Sequence, residues 1–147
     1  MPGRSDRQNG EPTDVVSVAV HVDEVATALE TNLRSPERTV LRLTPPFAPR
    51  MRARLHRPIA GEYDDRDGVR PIHVDPAALV SSIPAYPEPD ETAAELDADE
   101  SYSAESHRER HQRAVDGWRS EVGDRLVDAV ELDTESGPHR VDVKRLG

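Results

Sequence analysis

The chain has 147 residues, the length of one domain with room for a tail and a long connection. Hydrophobic residues make up 35% and aromatic residues only 3%, and cysteine is absent, which excludes disulfides, thiolate metal sites and cysteine nucleophiles. Twenty-nine acids face 19 bases for a net charge of −10, and Lys144 is the single lysine beside 18 arginines. Carboxylates hold water and cations in concentrated salt, and arginine's planar, weakly hydrated head pairs with them better than lysine does. Acid-rich and lysine-poor together point to a salt-accumulating, haloarchaeal-type cytoplasm. A GC-rich genome would explain the missing lysine but not the surplus acid.

The first 14 residues, "MPGRSDRQNGEPTD", are polar and aperiodic and are expected to form a disordered tail. They lack the apolar segment of a secretory signal, and no later run approaches the ~20 apolar residues needed to cross a bilayer, so the expected location is the cytoplasm. "VVSVAVHV" alternates Val16, Val18, Val20 and Val22 on one face and reads as a strand. Asp23 then serves as a helix cap, with Val25, Ala26, Leu29 and Leu33 at helical spacing until Pro36 closes the element. "RTVLRL" is a second strand and "TPPFAP" a stiff turn. In "RMRARLHR", Met51, Ala53 and Leu55 fall on one face while Arg50, Arg52, Arg54 and His56 fall on the other. That alternation predicts a half-buried strand with a cationic outer face, hairpinned to the strand before it.

"EYDDRDG" reads as an acidic turn and "VRPIHV" as a short returning strand, after which Asp75–Pro76 starts a short helix ended by Pro84. From about 84 to 105 the chain becomes rich in proline and acid, with eight acids and no base between Glu88 and Glu105. A Thr92/Glu95 pair can start a weak helix there. Ser106 and Glu109 form a capping box for the strongest helix in the chain, striped by Val115, Trp118, Val122, Leu126 and Ala129. Gly117 and Gly123 each cost about 1 kcal/mol inside it, which implies a close neighbour beside Trp118. A Gly137–Pro138 turn and "HRVDVKRL" form a closing hairpin with Val141 and Val143 inward. The order of elements predicts a single α+β domain over 15–147, with a small, largely antiparallel sheet, helices packed on one face, and one long helix in the C-terminal half.

The runs "HVDEVATALETNLRS", "LRLTPPFAPRMRARLH", "PIHVDPAALV" and "HRVDVKRLG" resemble an uncharacterised haloarchaeal domain family of unknown function, over most of the chain from Val15 to Gly147. No activity, cofactor or catalytic residue comes with that resemblance, so none is carried over to any position here.

Between Arg34 and Arg57 seven arginines stand against Glu37 alone. Arg42, Arg50, Arg52, Arg54 and Arg57 are the candidate contacts for an anionic partner, because each guanidinium fork matches a pair of anionic oxygens. Three fates compete for them: pairing with the chain's own acids, an acidic protein partner or self-association, and nucleic acid. The last is disfavoured, since only Phe47 lies near for base stacking and phosphate binding weakens steeply with salt. His107 and His111, four residues apart on a helix, are the weak candidates for a metal site, with His56, His73 and Asp75 as conceivable third ligands. The competing reading has this pair extending the apolar stripe as half-buried packing. Asp64, Asp65, Asp67 and Gly68 fail as a calcium loop, because Tyr63 and Val74 occupy the end positions. No phosphate-binding glycine loop or nucleophile elbow is present, and His73, Asp75, Ser81 and Ser82 form no specific catalytic pattern. The expected function is that of a non-enzymatic protein-interaction or regulatory module without cofactor, using its arginine-lined sheet face. A nucleic-acid-associated protein using the same face is the alternative, and a small metal-dependent enzyme a third reading.

Overall fold

A computed structural model describes residues 10–59, 70–88 and 103–147. Six strands and two α-helices lie among them: β1 (Ser17–His21), α1 (Val22–Arg34), β2 (Val40–Leu43), β3 (Arg50–His56), β4 (Ile72–Val74), α2 (Ala104–Asp124), β5 (Ala129–Thr134) and β6 (Gly137–Leu146). The strands form one sheet in the order β4-β2-β3-β1-β6-β5. The α+β class expected from sequence is what forms, but the expected small, largely antiparallel sheet is only loosely matched by a mixed sheet of six strands. β2 pairs antiparallel with β3 and with β4, and β5 with β6, whereas β1 pairs parallel with both β3 and β6. The hairpins follow from short connections. The parallel centre follows from one valine strand inserting between two others remote in sequence, which no local pattern announces.

The edges of this sheet nearly meet. Just after β4, the Ser81 N–H donates to the Arg125 carbonyl (2.8 Å), and the Val127 N–H just before β5 donates to the Leu79 carbonyl (2.9 Å). A single antiparallel bridge between Val80 and Leu126 therefore ties the segment that follows β4 to the one that precedes β5. Inside the curl, Val18, Val20, Leu41, Leu43, Ala53, Ile72, Val74, Leu132 and Val141 are buried against Val25, Ala26 and Leu29 of α1. The predicted stripe of α2 survives in Val115, Trp118 and Val122, which are buried, while the first turns of that helix hold no fully buried residue.

Several local expectations are corrected. Val16 is 60% exposed because β1 begins only at Ser17, and Val22 already belongs to α1. The cap of α1 is His21, whose Nδ1 accepts the Asp23 N–H at 3.2 Å, so Asp23 sits inside the helix instead of capping it. Leu33 is 50% exposed, since the core-facing stripe of α1 ends with Leu29. The helix expected after Asp75 is a single 3-10 turn, Pro76–Leu79, although Asp75 does cap it by accepting the Ala77 N–H at 2.9 Å. α2 starts earlier than the Ser106/Glu109 box implies: Ser103 is its cap, with its hydroxyl accepting the Ser106 N–H at 3.0 Å. Of the two helix glycines, Gly117 has open space where a side chain would stand. Gly123 has the expected close neighbour, with Val22 Cγ1 2.9 Å from where its Cβ would lie.

Residues 10–14, assigned to a disordered tail by composition, take defined structure. Pro12–Asp14 forms a 3-10 turn, and Gly10 is buried against the Phe47 backbone with no room for a side chain. Residues 1–9, the acidic turn with Asp64, Asp65, Asp67 and Gly68, and the Thr92/Glu95 box lie outside the described residues.

Candidate interaction face

β3 is a strand with the predicted alternation. Arg50, Arg52 and Arg54 are all exposed, while Ala53 is buried and Met51 half-buried on the opposite face. Leu55 departs from the pattern at 37% exposure. β3 outruns its neighbour here, because β1 has already turned into α1. Glu24, in the first turn of α1, completes the ladder. Its Oε1 accepts the Leu55 N–H at 2.8 Å and its Oε2 takes the Arg52 guanidinium at 2.7 Å. Burial pushes the Glu24 carboxyl up, but the Leu55 N–H and Arg52 together outweigh it and hold its pKa below the usual carboxylate value.

The strand register lays this face out in rows. His73, Arg42 and Arg54 share a row across β4, β2 and β3. Lys144, Ala19 and Arg52 share a second across β6, β1 and β3, and Asp142, Ser17 and Arg50 a third. Arg42 donates to His56 Nε2 at 3.2 Å, and the His56 and His73 rings stand 5.7 Å apart. Arg57, beyond the strand, meets Glu37 at 3.0 Å. Thus Arg52 and Arg57 pair with the chain's own carboxylates. Arg50, Arg54 and Lys144 make no ion pair among the described residues.

The metal candidates are placed differently. His107 and His111 stack with rings nearly parallel (4°) and centroids 6.2 Å apart on α2, both half-buried. Among the described residues no three of His, Asp and Glu converge as a metal site, and Asp75 is used as a cap. Ser82 is likewise structural, its hydroxyl accepting from Arg125 at 2.6 Å.

A groove of about 670 Å³ between α1 and α2, which sequence reasoning missed, holds a second polar network. Tyr86 donates to Glu30 Oε2 at 2.7 Å and accepts from Arg34 at 3.2 Å, while its ring stands edge-on to Trp118 at 5.0 Å. The Trp118 indole N–H donates to the Pro84 carbonyl at 2.8 Å. Arg119 of α2 reaches across to α1, donating to Thr27 Oγ1 (2.9 Å) and to the Asp23 carbonyl (3.0 Å), with Glu30 3.8 Å away. Burial raises the Tyr86 phenol pKa; the Arg34 hydrogen bond opposes this and the Glu30 carboxylate adds to it. The signal available in sequence was "PAYP": a tyrosine held among prolines is pre-extended for docking on an aromatic partner.

These features define an α+β domain on a mixed, nearly closed sheet whose outward face is cationic in an otherwise acidic chain. The chain belongs to the family described as Domain of unknown function (DUF8009), which matches residues 4–147. No curated protein and no solved structure matches it.

Proposed function

We propose that this protein is a non-enzymatic interaction module of a salt-rich, haloarchaeal-type cytoplasm, and that the outer face of its sheet docks an acidic protein partner. One observation carries the reading: Arg50 and Arg54 project from the same exposed face without an ion-pair partner among the described residues. Two further features support it. Arg42 and Arg54 stand directly opposite each other across the β2–β3 ladder, a like-charge arrangement that costs stability in a sheet. The net charge of −10 makes whole copies of the chain repel one another, which leaves this face to a separate partner. Direct guanidinium–carboxylate contacts at under 3 Å, of the kind Arg52 makes with Glu24, operate within the screening length of about 3 Å in molar salt. Binding driven by counterion release does not survive such conditions.

Fluorescence anisotropy with labelled poly-L-glutamate and a labelled duplex DNA oligonucleotide, at about 0.1 M and about 1 M KCl, tests the reading. Retained poly-glutamate binding at the higher salt, lost in the Arg50→Gln/Arg54→Gln double variant, supports it. DNA binding without poly-glutamate binding would replace it with the nucleic-acid alternative. Among the described residues no helix is long and apolar enough to cross a membrane.

A further inference from the structure

The cations of β3 have a counterpart that sequence reading never joined to them. The register places Lys144 of β6 level with Arg52, two strands away across Ala19. Two strand spacings amount to about 9.5 Å. The strand between them, β1, presents Ser17 and Ala19 on this face and then His21, which pairs with Leu146 of β6 and caps α1. Ser17 is buried and Ala19 half-buried beneath the longer side chains of the neighbouring strands. The outer face is therefore a trough with small residues, Ser17 and Ala19, under the Arg50 and Arg52 levels and His21 at the Arg54 end. Arg50, Arg52 and Arg54 stand on one wall, and Asp142 and Lys144 on the other.

From these positions we infer that the trough receives an extended acidic segment of a partner protein, lying along β1 with its carboxylates at defined spacings. This rests on the interaction reading above and specifies the partner's conformation and pattern. In an extended chain, side chains on one side recur about every 6.7 Å, the same repeat as Arg50, Arg52 and Arg54 along β3. Arg52 is already taken by Glu24 at 2.7 Å, which leaves Arg50 and Arg54, about 13 Å apart, to meet carboxylates four residues apart in the ligand. The second and fourth residues point to the opposite wall, and the third points toward Arg52. Asp142 lies level with Arg50 and repels an acid near that end, while Lys144, level with Arg52, attracts one further along. Counted from the Arg50 end, the trough selects acids at the first, fourth and fifth positions. A helix is excluded: its width of about 10 Å fills the whole trough, and residues four apart on it are only about 6 Å apart along its axis.

Two short labelled Ser/Thr peptides carry the test, with glutamates at positions one, four and five or, for the opposite chain sense, one, two and five. A composition-matched peptide with three consecutive glutamates is the control. Anisotropy titrations of the full chain are expected to show one spaced peptide binding several-fold more tightly than the control. Lys144→Gln is expected to reduce that preference, and Arg50→Gln and Arg54→Gln each to weaken binding by about two- to fivefold. All three side chains are exposed; an unchanged melting curve establishes that each variant folds. Equal binding of spaced and consecutive peptides, or indifference to Lys144→Gln while the arginine variants bind weakly, overturns the trough and leaves the interaction reading standing. Failure of every acidic peptide and of poly-L-glutamate to bind overturns both.

Discussion

The groove between the helices and the Arg50/Arg54 part of the sheet treat their arginines in opposite ways. In the groove between the helices, Arg34 and Arg119 are each tied to named acceptors, and together with Glu30, Tyr86, Thr27 and Trp118 they join α1, α2 and the chain around Pro84. On the sheet, Arg50 and Arg54 point into water with no ion pair among the described residues, and Arg54 faces Arg42. A partnered guanidinium fixes how elements sit on one another. An exposed guanidinium with no acceptor adds little to stability and leaves its donors available. The first region is thereby structural, and the exposed donors of the second are what the proposed recognition rests on.

Substitution separates the two regions, and the largest effect is expected in the groove. Trp118→Ala removes a side chain that is 3% exposed and strands the Pro84 carbonyl, at a cost of about 3–5 kcal/mol in urea unfolding. A loss below about 1.5 kcal/mol would show that the helix layer is not anchored there. Glu24→Gln lies where the sheet and α1 join, and is expected to cost about 1–2 kcal/mol at neutral pH. Because the folded-state pKa of Glu24 is lowered, its contribution is complete above about pH 4.3 and disappears as pH falls through the lowered value. The glutamine variant should lose that acid-side slope.

Tyr86→Phe deletes a hydroxyl that donates to Glu30 and accepts from Arg34, and about 1 kcal/mol should follow. The Tyr86 pKa is raised on folding, so its contribution is complete below about pH 10 and falls away as pH climbs through the raised value. The phenylalanine variant should flatten stability there. The helix glycines sharpen the contrast. Gly117→Ala, with open space for the methyl group, should stabilise by about 0.5–1 kcal/mol, whereas Gly123→Ala, pressed on Val22, should not. The smallest effect belongs to the sheet face: Arg50→Gln and Arg54→Gln should each leave stability within about 0.5 kcal/mol. A larger loss would mean that these arginines are structural after all.

How much of this was legible depended on how far apart the interacting groups lie in the chain. The β2–β3 hairpin, the β3 alternation up to Leu55 and the Val115, Trp118 and Val122 part of the stripe form as read. The closing hairpin instead turns at Glu135–Ser136, not at Gly137–Pro138, and the helix ends before Leu126 and Ala129. Helix starts were less legible, because any short polar residue near the right place can cap. His21 and Ser103 took that role where Asp23 and Ser106 had been expected. Of the candidate site, the direction of Arg50, Arg52 and Arg54 was readable, but the capture of Arg52 by Glu24, 28 residues earlier, was not. Nor was Tyr86, which looked like one more residue of a proline-rich connection.

By itself the sequence determined the charge, the α+β class, the periodic elements and a cationic outer face on β3, since side-chain period and turn residues act over a few positions. Only the tertiary structure decided that β1 inserts between β3 and β6. That insertion makes the sheet's centre parallel, brings Lys144 opposite Arg52 and lets Glu24 finish the β3 ladder. The physical reason is that strand order is chosen by the burial of a shared core and the satisfaction of remote backbone donors, which a local pattern does not encode.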